Sequence, residues 1–554
     1  MEQIPSFNLQ IEQSIINHWD RDALTDYKGA TLQYHDVARK IEKLHILFEN
    51  SGVKKGDKIA LCGRNSSNWA VAFLATLTYG AVAVPILHEF TADQIHNIVN
   101  HSDAKLLFSG DVVSTIIAPE QMPHLEGIIY LPDNSLLISR TEKLTYAREH
   151  LNEIFGKKYP KYFRKEHVHY YKEESPDELA LINYTSGTTG FSKGVMIPYR
   201  ALWSNFDFAC DVMGKNLEGR GDNMISILPL AHMYGMAFEF TFEFLTGKHI
   251  FFLTRVPSPA IIAQAFADIQ PAIIIAVPLI IEKIIRKKVF PIIQTSRMKL
   301  LLNMPVINKK VEEKIREQVV NAFGGRFYEI IVGGAAFNQE VEDFLNRIDF
   351  PYTVGYGATE CAPIICYAPW DDFMPGSCGR AVKHMQVKID SPDPSEIPGE
   401  ILAKGLNVML GYYKNEEATR QTIDKDGWYH TGDLGLMDEE GNVFIKGRSK
   451  NMLLGSNGQN IYPEEIEDKL NSMTMVVESV VVQREEKLVG LVYPDFDEAK
   501  SMGFSNEDLE KIMEQNRQQM NAIMPAYCKL AAIEIQEEEF AKTPKKSIKR
   551  YLYK

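Results

Sequence analysis

Tyr184–Met196 reads YTSGTTGFSKGVM, with three glycines, two serines, three threonines and one lysine. Successive backbone N–H groups in a glycine-rich turn can surround phosphate oxygens. Hydroxyls add donors and a lysine adds charge. On composition alone the stretch reads either as such a nucleotide loop or as a surface hairpin, because Gly, Ser and Thr are common connectors. It is not a Walker loop. The pattern GxxxxGK[ST], counted from Gly187, needs a second glycine where Ser192 stands, and Lys193 is followed by Gly194 instead of a hydroxyl. The flanks ELALINY and GVMIP both read as strands, so no helix N-terminus faces a phosphate held here.

Outward from this hairpin, strand-like and helix-like stretches alternate. DKIALCG (Asp57–Gly63) reads as a strand, NWAVAFLATLTYG (Asn68–Gly80) as a helix ending on glycine, and AVAVPI as the next strand. NMISILPL, IFFL, AIIIAVP and YEIIVGG repeat the strand signal. IIEKIIRK and NQEVEDFLNRI supply helices, the second with Asn338 as N-cap. This alternation predicts an α/β fold, a large N-terminal domain of doubly wound, largely parallel sheets. From about Met385 the pattern changes to strands joined by tight Asp, Pro and Gly turns, a small β-rich layer. After GRSK (Gly447–Lys450) it changes again. PEEIEDKLNSM is a helix, VVESVVVQREEKLVGLVYP a hairpin, and a long polar helix and a basic tail follow. The predicted division is residues 1–447 and a smaller, mobile α+β domain over 448–554, with the β-rich layer at about 385–447.

The 554 residues exceed a typical domain several-fold. A net charge of −13 argues against a nucleic-acid or anionic-membrane binder, so a polyanionic ligand must find a local basic patch. None of the six cysteines forms a CxxC pair, and no zinc spacing is completed, which predicts reduced thiols in a cytoplasmic protein. No signal peptide is visible. PAIIIAVPLII (Pro271–Ile281) is too short to span a bilayer, which takes ~20 residues, and reads as a buried strand leading into a helix.

Further motifs carry a resemblance. With the glycine-rich loop, LPLAHMYG (Leu228–Gly235), GGAAF (Gly333–Phe337), GYGATECAP (Gly355–Pro363), GEILAKGLNVMLGYY (Gly399–Tyr413), GWYHTGDLG (Gly427–Gly435) and GRSKNMLLGSNGQNIYPEEIE (Gly447–Glu467) follow in order. Together they resemble the acyl- and aryl-adenylate-forming, AMP-binding enzymes over essentially the whole chain, and most of all the long-chain fatty acid–CoA ligases. The resemblance implies ATP, Mg2+ and coenzyme A. A carboxylate attacks the α-phosphate, pyrophosphate leaves, and a thiol then takes the acyl group from the acyl-adenylate and releases AMP.

The resemblance also implies roles. Ser186, Gly187, Thr188, Thr189, Gly190 and Lys193 would hold the β- and γ-phosphates. Thr185 and Glu360 would be the metal partners, a hydroxyl and a carboxylate suited to a hard cation. Tyr356, within Gly355, Gly357, Ala358 and Thr359, would stack on adenine, and Gly333, Gly334 and Ala335 would let the backbone pass close to the purine. Asp433 would accept from both ribose hydroxyls. Arg448 would reach the nucleotide and Lys450 would be the hinge. His232 is assigned to the catalytic pocket's wall at the acyl end, without proton transfer.

The tail departs from the family pattern. A lysine there usually bridges the carboxylate and the α-phosphate. Aligning Thr543, Pro544 and Arg550 in EFAKTPKKSIKRYLYK puts Ser547 at its place, with Lys545 and Lys546 just before and Lys549 just after. Either Lys546 reaches in, or the alignment slips so that Lys545 or Lys546 is the counterpart, or adenylation is weak. The tail cations also offer a patch for coenzyme A phosphates or an acidic carrier protein. MAFEFTFEFLTG, after LPLAHMYG, suits an acyl pocket or a core helix equally, and Asn457 in SNGQN lies near the expected thiol tunnel. Three readings stay open: a fatty acid–CoA ligase, an enzyme delivering to an acyl carrier protein, and a non-catalytic nucleotide binder. The sequence does not decide oligomeric state or peripheral membrane contact.

Overall fold

The computed structural model describes residues 4–185, 193–214, 216–254, 259–293, 295, 298, 302, 308–454, 460–484, 487–543 and 547–553. Its largest sheet runs in the spatial order Gly411–Tyr412, Lys193–Pro198, Leu179–Thr185, Val82–Ile86, Lys58–Cys62, Ala104–Ser109, Gly127–Tyr130 and Leu136–Ser139. From Leu179–Thr185 across to Gly127–Tyr130 the strands are parallel. Antiparallel strands close both edges. The inner strands are covered on both faces, which is why they read as unbroken apolar runs. The helix Ser67–Tyr79 crosses between two of them. The Ser66 hydroxyl accepts from Trp69 N–H at its start, and Gly80, at φ 82°, ends it in the left-handed region.

Two further parallel arrangements extend the domain. Asn223–Ser226, His249–Phe252 and Asp22–Asp26 form one, with Thr31–Gln33 antiparallel at its edge. Ile274–Ala276, Ile330–Val332 and Tyr352–Val354 form the other. PAIIIAVPLII supplies the strand Ile274–Ala276 and opens the helix Pro278–Ile284, as expected. The helix Gln339–Arg347 is capped by Asn338, whose side chain accepts from Val341 N–H.

The β-rich layer is antiparallel throughout: Met385–Asp390, Gly399–Gly405, Tyr429–Met437 and Val443–Arg448. In Tyr429–Met437 burial alternates residue by residue, one face on the core and one toward solvent. Beyond it, the hairpin Val476–Arg484/Lys487–Pro494 takes Leu530–Ile535 as a parallel third strand. The helices Pro463–Asn471 and Asn506–Ile523 pack on this sheet around a separate core that includes Ile466, Leu470, Val481, Leu509 and Met513. The predicted combination of a large α/β domain and a smaller α+β domain is therefore observed. Asn338 Nδ2 joins the two by donating to Ser472 Oγ at 2.9 Å.

MAFEFTFEFLTG is core. It forms a π-turn at Met236–Thr241 followed by the helix Phe242–Leu245, and Phe240, Phe242 and Phe244 are fully buried. The six cysteines are free thiols. Among the described residues no helix is long and apolar enough to cross a membrane.

Candidate active site

The polar residues named from sequence collect at the ends of strands. Thr185 and Lys193 face each other as the last pair of their hairpin. Ser186, Gly187, Thr188, Thr189 and Gly190 lie outside the described residues. The hairpin is anchored from both sides. Asn183 Nδ2 donates to the Ala231 carbonyl at 2.8 Å, tying it to the LPLAHMYG segment. The Tyr184 hydroxyl lies 2.7 Å from His101 Nδ1. The short strand Gly411–Tyr412 adds to the outer edge with Tyr412 opposite Val195, and Lys193 Nζ sits 4.6 Å from the centre of the Tyr412 ring.

Glu360 lies in the 3₁₀ turn Thr359–Cys361. Its Oε1 accepts from the Tyr412 hydroxyl at 2.9 Å, and its carbonyl accepts from Met409 N–H at 2.8 Å. The preceding residues form a tight hairpin, in which Ala358 N–H donates to the Pro363 carbonyl at 2.8 Å. A Cβ at Gly357 would stand 2.2 Å from that same carbonyl oxygen, so only glycine fits there.

Tyr356 and Asp433 are in direct contact. The Tyr356 hydroxyl donates to Asp433 Oδ2 at 2.6 Å, and Arg448 Nε pairs with Oδ1 at 2.7 Å. Cross-strand register brings the pair together, because Asp433 lies directly opposite Arg448. The Asp433 side chain is 8% exposed and that of Arg448 61%. Burial raises the Asp433 carboxyl above its usual range, Arg448 and Tyr356 oppose that rise, and the charge of nearby Glu360 adds to it. A carboxylate offers about four lone-pair positions, so each Asp433 oxygen keeps one for a further donor.

Gly333, Gly334 and Ala335 follow the strand Ile330–Val332, with Gly333 N–H bonded to the Ala276 carbonyl at 3.0 Å. Gly334 has φ 86°, and Ala335 is exposed. The Tyr234 ring lies against Gly333, and its hydroxyl donates to the Ile331 carbonyl at 3.0 Å. Gly355 N–H reaches the Val332 carbonyl at 2.9 Å, which joins the Gly333 and Tyr356 segments. His232 caps the short helix Met233–Gly235, its Nδ1 accepting from Tyr234 N–H at 3.2 Å. That bond needs a lone pair on Nδ1, so a neutral ring carries its proton on Nε2.

Lys450 is exposed in a turn where Asn451 and Met452 N–H both bond the Arg448 carbonyl. In the tail, the Arg550 guanidinium pairs with Glu467 on the helix Pro463–Asn471. Glu467 also accepts from Val481 N–H at 2.5 Å, and burial pushes its carboxyl up to about 7 against the pull of Arg550. Thr543 N–H donates to the Ser547 carbonyl at 2.8 Å and Ser547 N–H to Thr543 Oγ1 at 3.3 Å, so these two residues close a turn. Lys545 and Lys546 between them, and Asn457, lie outside the described residues. Sequence reasoning missed Tyr412 as an individual residue, although it stands in the quoted GYY. The signal was a large aromatic directly after a glycine at the end of that motif.

This geometry has relatives. The pattern described as AMP-binding enzyme matches residues 11–413, and that of the AMP-binding enzyme C-terminal domain matches residues 450–553. The chain belongs to the AMP-binding enzyme family. It is 27% identical over 486 residues to a long-chain-fatty-acid–CoA ligase of Escherichia coli O6:H1, covering 82% of this chain and 79% of that one. It is 26% identical over 521 residues to fatty acyl-CoA synthetase A of Dictyostelium discoideum, covering 85% and 72%. Among solved structures it resembles an anthranilate–CoA ligase in complex with anthranoyl-AMP, with TM-score 0.76, 18% identity and coverage of 99% and 97%. It also resembles the o-succinylbenzoate–CoA synthetase of Bacillus subtilis with its acyl-adenylate, with TM-score 0.74, 19% identity and coverage of 99% and 98%.

Proposed function

We propose that the protein is an ATP-dependent fatty acid–CoA ligase that forms an acyl-adenylate and then the coenzyme A thioester, releasing pyrophosphate and AMP. The observation that carries this reading is one polar seam. It runs from the Tyr356–Asp433–Arg448 cluster, past Glu360, to Tyr412 and Lys193 at the mouth of the glycine-rich hairpin. A nucleotide laid along it would have its purine beside Tyr356 and Gly333–Ala335, its ribose at Asp433 and its triphosphate at Thr185–Lys193. Family membership and the fatty acid–CoA ligase relatives support the reaction class. The fold neighbours are named for other acids, so the acyl group is assigned from the sequence relatives alone.

The first step brings two anions together, so its barrier is electrostatic and cations and aimed donors lower it. In this reading Lys193 and the hairpin's N–H groups hold the outer phosphates. The remaining lone pairs of Asp433 fix the ribose, and Arg448 adds positive charge near the nucleotide. Lys546 or Lys545 supplies the charge between the carboxylate and the α-phosphate. His232 walls the acyl end. The hydroxyl of Thr185 and the carboxylate of Glu360 are hard oxygen donors that suit Mg2+. Among the described residues no cluster of three metal-binding side chains exists, and a magnesium ion shared with phosphates needs only one or two protein oxygens. Bound there, Mg2+ would neutralise phosphate charge. The proposed domain boundary lies at 447/448, with Lys450 as hinge for the second step.

The test is AMP and pyrophosphate release with a panel of carboxylic acids, with and without coenzyme A. CoA-dependent turnover that is best with medium- or long-chain acids supports the reading. Turnover that requires an acyl carrier protein replaces the acceptor. The placement of Ser547 favours a second reading, a nucleotide binder without chemistry, which predicts ATP binding with no pyrophosphate from any acid.

A further inference from the structure

We infer that Tyr412 is a positioning residue that couples the phosphate-loop lysine to the metal carboxylate, so that metal-assisted nucleotide binding depends on one buried phenol. The inference rests on the reading of Lys193 and Glu360 given above and deepens it.

Two independent contacts meet on this side chain. Its hydroxyl donates to Glu360 Oε1 at 2.9 Å, and its ring face lies under Lys193 Nζ at 4.6 Å. An ammonium over a phenol face is held by the ring quadrupole, and a phenol donating to a carboxylate fixes that carboxylate's orientation. The two contacts use different parts of the residue, so they can be removed separately. The phenol is buried.

The backbone around it is fixed from both sides. Tyr412 pairs with Val195 in the strand ladder, and its N–H donates to Thr419 Oγ1 at 2.9 Å. Gly411, at φ 136°, brings the chain so close to Thr419 that a Cβ would lie 2.6 Å from the Thr419 methyl carbon. A tyrosine anchored this firmly sets where its hydroxyl points. A phenylalanine would fill the same space, so what the hydroxyl adds is its bond to Glu360, with the Thr422 side chain as a second polar neighbour.

The test uses the full chain and an ATP analogue that cannot lose pyrophosphate, titrated with the protein by calorimetry in EDTA and again in Mg2+, with no acid present. The ratio of the two dissociation constants is the metal's contribution. Tyr412→Phe keeps the ring and drops the hydroxyl. It is expected to lower that ratio by ~10-fold, the size found when a residue orienting a metal ligand is lost, and to leave the EDTA constant within about twofold. Tyr412→Leu removes the ring as well and is expected to weaken the EDTA constant by a further ~2–5-fold through Lys193. A wild-type ratio in Tyr412→Phe overturns the coupling to Glu360, and an EDTA constant unchanged in Tyr412→Leu overturns the coupling to Lys193. Glu360→Gln separates this failure from that of the underlying reading. If Glu360→Gln also keeps the wild-type ratio, Glu360 is not a metal partner and both fall. If it loses the ratio while Tyr412→Phe keeps it, only the role of Tyr412 falls.

Discussion

The proposed nucleotide seam and the C-terminal tail carry similar charged groups on different supports. At the seam, Asp433 takes one partner from the strand opposite and one from the Tyr356 hairpin, so both of its oxygens are engaged before any ligand arrives. In the tail, Arg550 reaches back 83 residues to Glu467 on another element, and Thr543 and Ser547 are joined by two hydrogen bonds. A site built on paired strands holds its donors at fixed distances and loses little on binding. The tail is tied to its own sheet and helix by ion pairs, Arg550 with Glu467 and Lys542 with Glu478 at 2.7 Å.

If the seam is preorganised as described, its members should be the most costly to remove. Glu360→Ala is expected to lower acid-dependent pyrophosphate release by ~100-fold or more, with the far-ultraviolet circular dichroism unchanged. Release at the wild-type rate would remove Glu360 from the metal site and leave the seam without its central member. Asp433→Asn comes next. It keeps the shape but weakens the charge-assisted bonds to Tyr356, Arg448 and the ribose hydroxyls, so the KM for ATP should rise ~10-fold while kcat at saturating ATP changes less. A fall in kcat with an unchanged KM would mean that Asp433 acts on the transition state and not on the ribose.

The tail should show smaller, graded effects. Lys546→Ala is expected to slow adenylation more than Lys549→Ala, measured as single-turnover formation of acyl-adenylate, by roughly one order of magnitude for the first and little for the second. The reverse order would move the bridging charge to the far side of Ser547.

How much of this was legible in sequence depends on the kind of pattern involved. The inner strands IALC and VAVPI and the Gly80 stop could be read because burial on both faces and a left-handed cap restrict residue types locally. The glycine-rich hairpin was legible as two strands and a loop, and its order among the other motifs identified the family. The Asp433–Arg448 pair was not legible as a contact, because it depends on cross-strand register, here shifted by an irregularity between Leu434 and Gly435. The link from Tyr412 to Glu360 spans 52 residues and has no periodic signature. MAFEFTFEFLTG suits a pocket or a core helix equally in sequence, because an apolar, aromatic run fits either. The π-turn and the packing around it bury every residue of Met236–Leu245, so no exposed face remains for either of its two acids.

Those two acids give the sharpest contrast with the seam and the smallest expected effect on turnover. Glu239 is buried but accepts from Ser226 Oγ and from Ile227 and Leu228 N–H at 3.2, 3.1 and 2.9 Å. Glu243, one turn later and fully buried, has no hydrogen-bond partner among the described residues on either carboxyl oxygen. Burial raises its carboxyl well above the ordinary value of 4.5, so it is held neutral in the folded protein. The unfolded chain releases that proton once the pH passes about 4.5, while the folded chain keeps it. Stability from this group is therefore fully present below the unfolded value and falls as pH rises toward the folded one, by up to ~1.4 kcal/mol per pH unit. Glu243→Gln removes the titration while keeping the shape. Its urea midpoint relative to that of the wild type should rise steadily as the pH climbs above about 4.5, with CoA-ligase turnover unchanged. Parallel midpoints across that range would mean that Glu243 is ionised inside the fold, and the contrast between partnered seam acids and a neutral core acid would fail.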